Sequence, residues 1–233
     1  MSDDRLTISG PDGDFSAYVA RPAGAAPHPA VVVVQEIFGV NHTMRQVADD
    51  LAAEGYLALV PDLFWRFEPG IELDDRKPEE LKHAFALFPQ VDLDKTVEDI
   101  RATLNVARAL PDGSGKAGAV GYCLGGSLAY LTACRTDSDA TVAYYGISIP
   151  DQLDEARALS RPLLLHVAEA DRFVPPEKHA AMLSGLREHP QVTLHTYSGV
   201  DHAFAREGGE NYDAAAAELA DRRTREFFGR HLA

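Results

Sequence analysis

The chain has 233 residues and a formal net charge of -14, from 36 acidic against 22 basic side chains. That length suffices for one substantial α/β core. The acidic balance argues against nucleic acid as a partner, because such a surface repels phosphate backbones and offers no polybasic stripe. Two cysteines, Cys123 and Cys134, make no disulfide framework, and neither lies in a C-x-x-C pair.

An apolar fraction of 45% with 25% charged residues is that of a folded globular chain rather than a disordered one. The N-terminal Met1-Ser2-Asp3-Asp4-Arg5 lacks the basic and apolar regions of a secretion signal. No apolar run approaches bilayer-spanning length. A cytoplasmic protein without a membrane partner is therefore expected.

Two short runs, 6–9 and 15–20, flank Pro11-Asp12-Gly13 and predict a hairpin. Ala30-Val31-Val32-Val33-Val34-Gln35 is a β-branched run of the kind buried on both faces of a sheet. A helix over 40–55 follows, with Asn41 as a candidate N-cap and Gly55 as its stop. Residues 56–60 read as a strand closed by Pro61. The stretch 61–90 breaks the pattern: the aromatic-rich Asp62-Leu63-Phe64-Trp65-Arg66-Phe67, then Pro69-Gly70, acidic residues and Pro78. It reads as an insertion over the sheet, a loop followed by a short helix over 79–88. Beyond it come a helix over 94–110, a strand over 116–122 and a helix over 124–135. Strands over 141–145 and 162–167, a helix over 176–188, a strand over 192–197 and a helix over 212–228 complete the chain. Strands alternating with helices predict a single α/β domain over 1–233 with a mostly parallel sheet, helices on both faces, and ligands at the carboxyl ends of the strands.

At one such strand end lies Gly121-Tyr122-Cys123-Leu124-Gly125-Gly126, the cysteine form of a nucleophile elbow. The nucleophile of an elbow sits in a strained strand-to-helix turn, so its near neighbours must lack side chains. Its sulfur also lies at a helix N-terminus, which favours thiolate. A buried packing role is the plainer alternative for any free cysteine, and Cys134, late in the following helix, is read that way. No lysine follows the glycines, so a phosphate-binding loop has no support.

Elbow enzymes keep the chain order nucleophile, acid, histidine. Asp171 follows the strand over 162–167, with Glu169 its nearest rival. His202 follows the last strand in Ser198-Gly199-Val200-Asp201-His202-Ala203-Phe204 and is the candidate base. Val34-Gln35-Glu36-Ile37-Phe38-Gly39 ends the first core strand. Such a loop supplies the second oxyanion-hole amide, so the expected donors are the backbone N–H groups of Leu124 and Ile37. Glu36 there is either a solvated strand-end carboxylate or a partner of the thiol. No His/Cys/Asp cluster has metal-ligand spacing, so no metal is expected.

Four segments, Gln35-Glu36-Ile37-Phe38-Gly39, Gly121-Tyr122-Cys123-Leu124-Gly125-Gly126, Asp171-Arg172-Phe173-Val174-Pro175 and Gly199-Val200-Asp201-His202-Ala203-Phe204, together resemble the dienelactone hydrolase (carboxymethylenebutenolidase) family. The resemblance implies a monomeric α/β-hydrolase without cofactor, opening a dienelactone to maleylacetate in the breakdown of catechols and chlorocatechols. It implies that Glu36 contacts the resting thiol and takes its proton when substrate binds. It also implies two arginines on the substrate carboxylate. Arg206, four residues past His202, fits the first. In the insertion, Leu81 and Phe85 stand where an arginine and a tyrosine are expected, leaving Arg66, Arg76 and Lys82 as candidate replacements. Tyr145, Phe38 and Trp65 are the expected apolar walls. The alternatives are a broader carboxylesterase or thioesterase of the same fold and a non-catalytic binding or sensor protein.

Overall fold

The computed structural model describes residues 4–233; Met1, Ser2 and Asp3 of the acidic N-terminal stretch lie outside the described residues. The chain divides into two compact units, 1–119 and 120–233. In the first, β1 (Arg5–Gly10) and β2 (Gly13–Ala20) form the expected antiparallel hairpin. β2 pairs antiparallel with β4 (Leu57–Pro61), and β4 pairs parallel with β3 (His28–Val34), giving the order β1-β2-β4-β3. β4 is buried along its whole length and β3 from Ala30 onward, which is why both read as unbroken apolar runs.

α1 (His42–Ala53) starts where its sequence says it must, with the Asn41 side chain accepting the Met44 N–H. α2 (Pro78–Leu87) begins on a proline, whose missing N–H costs nothing at a first helical position. α3 (Leu93–Ala109) is capped by Asp92, which accepts from the N–H groups of Asp94 and Lys95, and it buries Val97, Ile100, Leu104 and Ala107. β5 (Gly113–Tyr122) begins in this unit and ends in the next.

In the second unit α4 (Leu124–Arg135) is buried on all sides from Leu124 to Cys134. Burial pushes the Cys134 thiol up to about 12, so it packs as an inert apolar group. β6 (Thr141–Tyr144), β7 (Leu163–Ala168) and β8 (Val192–Tyr197) are parallel, with Tyr144 beside His166 and His166 beside His195. α5 (Pro176–Leu186) joins β7 to β8. α6 (Ala214–His231) closes the chain, capped by Asp213 and running three residues past the expected end. Two short 3-10 segments, Ile149–Asp151 and Leu153–Ala158, follow β6 where no element was expected.

A polar chain runs through this unit. Arg223 donates to the Tyr197 hydroxyl (3.1 Å), and Tyr197 pairs with His166 Nδ1 (2.7 Å). His166 Nε2 pairs with Thr224 Oγ1 (3.0 Å), Thr224 with the Tyr144 hydroxyl (2.7 Å), and Tyr144 donates to Asp221 Oδ1 (3.0 Å). A carboxylate can only accept, so the Asp221 end fixes the direction back through Tyr144 and Thr224 to His166 Nε2, which donates. Burial keeps the His166 ring neutral, so Nδ1 accepts from the Tyr197 hydroxyl.

Candidate active site

The elbow has the backbone its sequence demands. Cys123 sits at φ 57, ψ -116 between β5 and α4, a region that side-chain-bearing residues rarely enter. A Cβ at Gly121 would overlap the carbonyl oxygen of Gly125, and one at Gly126 would overlap the carbonyl oxygen of Tyr144. Glycine is thus required at both positions by close backbone approach. The Cys123 N–H donates to the Tyr144 carbonyl (3.2 Å), tying the turn to the end of β6. The Leu124 N–H opens α4, in a first turn whose amides have no partner within the helix.

Asp171 and His202, the expected acid and base, arrive on the loops after β7 and β8. His202 Nδ1 lies 2.8 Å from Asp171 Oδ2. Asp171 Oδ1 accepts the Phe173 N–H (2.9 Å), which leaves Oδ2 for the imidazole. On its other side the His202 ring hydrogen-bonds Cys123. Burial opposes charge on the ring, yet the Asp171 and Cys123 hydrogen bonds outweigh it and push the His202 pKa up to about 10. Glu169 has a different place: it is exposed, and hydrogen bonds from Thr196 and Ser198 hold its carboxylate below the usual range.

Tyr145 (5.2 Å between ring centroids) and Phe173 (4.9 Å) both meet the His202 ring edge-on. Phe173 is half exposed, while Tyr145 is buried. Among the described residues the non-glycine positions with positive φ are Cys123, Tyr145 and Ala203, at 57°, 38° and 63°. They are the elbow, the ring that meets the imidazole edge-on and the residue after His202. Strain of this kind costs roughly 1–3 kcal/mol per residue and gathers where geometry is held for function.

In the first unit the loop after β3 is stitched to the insertion. The Leu63 N–H donates to Gln35 Oε1 (3.0 Å), and the Leu73 N–H to the Phe38 carbonyl (2.9 Å). Asn41 Nδ2 donates to the Leu73 carbonyl (2.9 Å). Glu36, Ile37 and Phe38 are all buried within this loop, Glu36 to 1% exposure.

A family model for the dienelactone hydrolase family matches residues 15–232. The chain belongs to the dienelactone hydrolase family. This dienelactone hydrolase family member is 48% identical over 230 residues to a protein of Azospirillum brasilense provisionally named a carboxymethylenebutenolidase, with 96% of each chain covered. It is 38% identical over 228 residues to the carboxymethylenebutenolidase of Pseudomonas putida, covering 97% of this chain and 96% of that one. A crystal structure from Klebsiella pneumoniae, provisionally titled a dienelactone hydrolase, superposes with a TM-score of 0.84 at 30% identity, covering 97% and 98% of the two chains. The α/β-hydrolase fold expected from the sequence is thereby established.

The insertion residues of this family member are placed less simply. Trp65 donates from Nε1 to Asp99 (2.9 Å), stacks on Phe15 (5.7 Å) and carries the Arg66 guanidinium over its ring (4.5 Å). Its ring thus packs on the hairpin cluster of Ile8, Phe15 and Ala17, a structural use that sequence did not suggest. Arg66 pairs with buried Asp99 and with Asp12, and Arg76 with Asp74. Both are therefore engaged by carboxylates of their own unit. Lys82 is exposed on α2, and Phe85 on the same helix is half exposed. Arg206 is half-buried, its N–H donating to the Ala203 carbonyl (3.0 Å) in the turn after His202. Among the described residues no group of three or more His, Cys, Asp or Glu side chains is placed to hold a metal ion, and no helix is long and apolar enough to cross a membrane.

Asp201 and Arg172 lie inside the motifs around His202 and Asp171, where the sequence assigns neither a role. They join across the acid and base loops. The one available signal was their adjacency to Asp171 and His202.

Proposed function

We propose that this protein hydrolyses an enol-lactone of the dienelactone class to the open-chain keto acid, with Cys123 as nucleophile, His202 as base and Asp171 as its orienting acid. The observation that carries the reading is His202, hydrogen-bonded to Asp171 on one side and to Cys123 on the other, with Cys123 on a positive-φ elbow. The names of relatives 36–48% identical over nearly the whole chain support the substrate class.

The Cys123 thiolate adds to the lactone carbonyl, forming a C–S bond while the carbonyl π pair moves to oxygen. The Leu124 and Ile37 N–H groups stabilise that oxyanion. Its collapse breaks the ring C–O bond. The enolate leaves, takes a proton from the His202 imidazolium, and tautomerises to the ketone. A thioester remains. Water, losing its proton to His202, adds to the thioester carbonyl; collapse releases the carboxylic acid and restores the thiolate–imidazolium pair. The sum is lactone plus water. An enolate competes with thiolate as a leaving group far better than an amine does, so the arrangement suits lactones, activated esters and thioesters rather than peptides.

Glu36 takes up the thiol proton when substrate arrives and returns it to the Cys123 thiolate when product leaves. Glu36 is buried to 1% exposure after β3 rather than solvated at the strand end, which supports that role. Arg206 provides a cation for the substrate carboxylate, with Tyr145 and Phe38 as apolar walls. The pathway served is the breakdown of catechols, with the enzyme acting in the cytoplasm.

The test is turnover of cis- and trans-dienelactone beside a neutral aryl ester. Cys123→Ala and His202→Ala each abolish lactone hydrolysis, and mass spectrometry of the acid-quenched wild type finds the acyl adduct on Cys123. Arg206→Ala raises KM for the carboxylated lactone and leaves the neutral ester unaffected. Full activity in Cys123→Ala would sink the assignment. For Glu36→Gln, an iodoacetamide rate and a turnover both equal to wild type would eliminate the proton-uptake role.

A further inference from the structure

The mechanism needs Asp171 and His202 within hydrogen-bond reach, yet they belong to different loops. The parallel ladder of β7 and β8 extends a little beyond the strands: Glu169 N–H to the Tyr197 carbonyl (3.0 Å), then Ala170 N–H to the Val200 carbonyl (3.0 Å). At the next residues a side chain takes over. Asp201 Oδ1 accepts the N–H of Arg172 (2.9 Å), the residue after the acid, and also the N–H of His202 (2.6 Å), the base itself. Asp201 Oδ2 accepts Arg172 Nε (2.6 Å). The Arg172 guanidinium donates in turn to Asn211 Oδ1 (2.9 Å), and Asn211 Nδ2 donates to the His202 carbonyl (2.9 Å).

The result is a closed bracket. It holds the backbone of the base at both its N–H and its C=O, and the backbone of the acid loop one residue past the carboxylate. An ordinary Asx turn ties a side chain to N–H groups of its own loop; Asp201 spans two loops. Its ion pair with Arg172 is weak by itself, because the Arg172 side chain is half exposed. The two backbone donors on one oxygen are the part that fixes distance.

We infer that Asp201 is a positioning residue for the Asp171–His202 pair, with Arg172 and Asn211 closing the bracket around it. This inference rests on the reading of Cys123, His202 and Asp171 as the catalytic set.

The experiment compares Asp201→Ala, Asp201→Asn and the double variant Asp201→Asn with Arg172→Gln. For each, kcat, KM, the pH profile and the NMR resonance of the His202 Nδ1 proton are measured. Displacing a catalytic group by about 1 Å costs on the order of 100-fold. Asp201→Ala therefore lowers kcat by roughly 10- to 100-fold, with KM within about threefold. The pH-profile limb belonging to His202 moves down, because its hydrogen bond to Asp171 loosens, and the Nδ1 resonance broadens. Asparagine still accepts at Oδ1, but its NH2 meets Arg172 Nε donor to donor, so the amide-pair double variant rather than Asp201→Asn alone recovers most of the loss and keeps the resonance. A folded Asp201→Ala with wild-type kcat and an unchanged Nδ1 resonance overturns the inference. If Asp201→Ala does not fold, the amide-pair double variant decides: a loss as large as that of Asp171→Asn means the carboxylate acts by its charge, and positioning fails. Cys123→Ala runs in parallel. Activity surviving there refutes the catalytic set, while the Nδ1 resonance still reports on the bracket.

Discussion

Replacing Asp171 by asparagine keeps the shape of the side chain and removes both its charge and its obligation to accept. In the native site Asp171 Oδ2 stands 2.8 Å from His202 Nδ1, and His202 is 5% exposed, so water screens the contact little. A pKa of about 10 in place of the ordinary 6.5 favours the imidazolium by roughly 5 kcal/mol, shared between the Asp171 and Cys123 contacts. Losing about half of that costs on the order of 100-fold in forming the charged base. A second effect adds to it. The asparagine amide turns its NH2 toward Nδ1, which drives the ring proton to Nε2, facing the thiol. A tautomer error of this kind costs up to about 10,000-fold in a serine-protease triad. Asp171→Asn is thus expected to retain the fold and lose between about 100- and 10,000-fold in kcat. The assay is kcat and kcat/KM on a dienelactone from pH 5 to pH 10. Glu169→Gln is the control, since exposed Glu169 bonds Thr196 and Ser198 instead of the imidazole; it is expected to stay within about twofold. Asp171→Asn within threefold of wild type, or Glu169→Gln falling equally far, would refute the assignment of the acid.

His166 makes stability depend on acid. Burial first, then His195 and Arg223, hold its pKa well below 6.5, so it stays neutral in the fold while an unfolded histidine takes a proton. Stability is fully present above pH 6.5 and falls by up to about 1.4 kcal/mol per pH unit below it. Urea unfolding at pH 7 and pH 5 measures the loss, and a His166 ring that titrates near 6.5 in the folded protein contradicts it. Tyr144→Phe removes the hydroxyl joining Thr224 to Asp221 in a fully buried position and is expected to cost about 1–3 kcal/mol by urea unfolding. A loss under about 0.5 kcal/mol means the polar chain is not continuous. Asp99→Asn removes the buried charge that faces Arg66 and Trp65, and about 3 kcal/mol goes with it, the low end because Arg66 keeps Asp12. An unchanged Tm there would leave the Arg66 pair without energetic weight.

What sequence could and could not reveal follows from where each signal resides. The elbow was legible because its demands are local: a strained φ at Cys123 and close backbone approaches at Gly121 and Gly126 can be met by few residue types within a few positions. The placing of His202 beside Asp171, each on the loop after a late parallel strand, was legible through chain order. The choice of Asp171 over Glu169 was not, because two residues of loop decide which carboxylate faces the ring, and the Phe173 N–H on Asp171 Oδ1 is a fact of loop geometry. Trp65 illustrates the same limit from the other side. An aromatic in the insertion reads as a pocket wall, and nothing in that reading tells that its indole N–H meets Asp99, 34 residues later on α3, and its face meets Phe15 on the hairpin. Partners so distant leave no periodic trace. Asp201 lies between these cases. It stood inside a quoted motif, but its meaning came from a second motif 29 residues earlier, where the N–H of Arg172 meets it. A polar residue flanking a catalytic one gains significance when its neighbour in space flanks the other catalytic residue, and that condition is set by the register of β7 against β8.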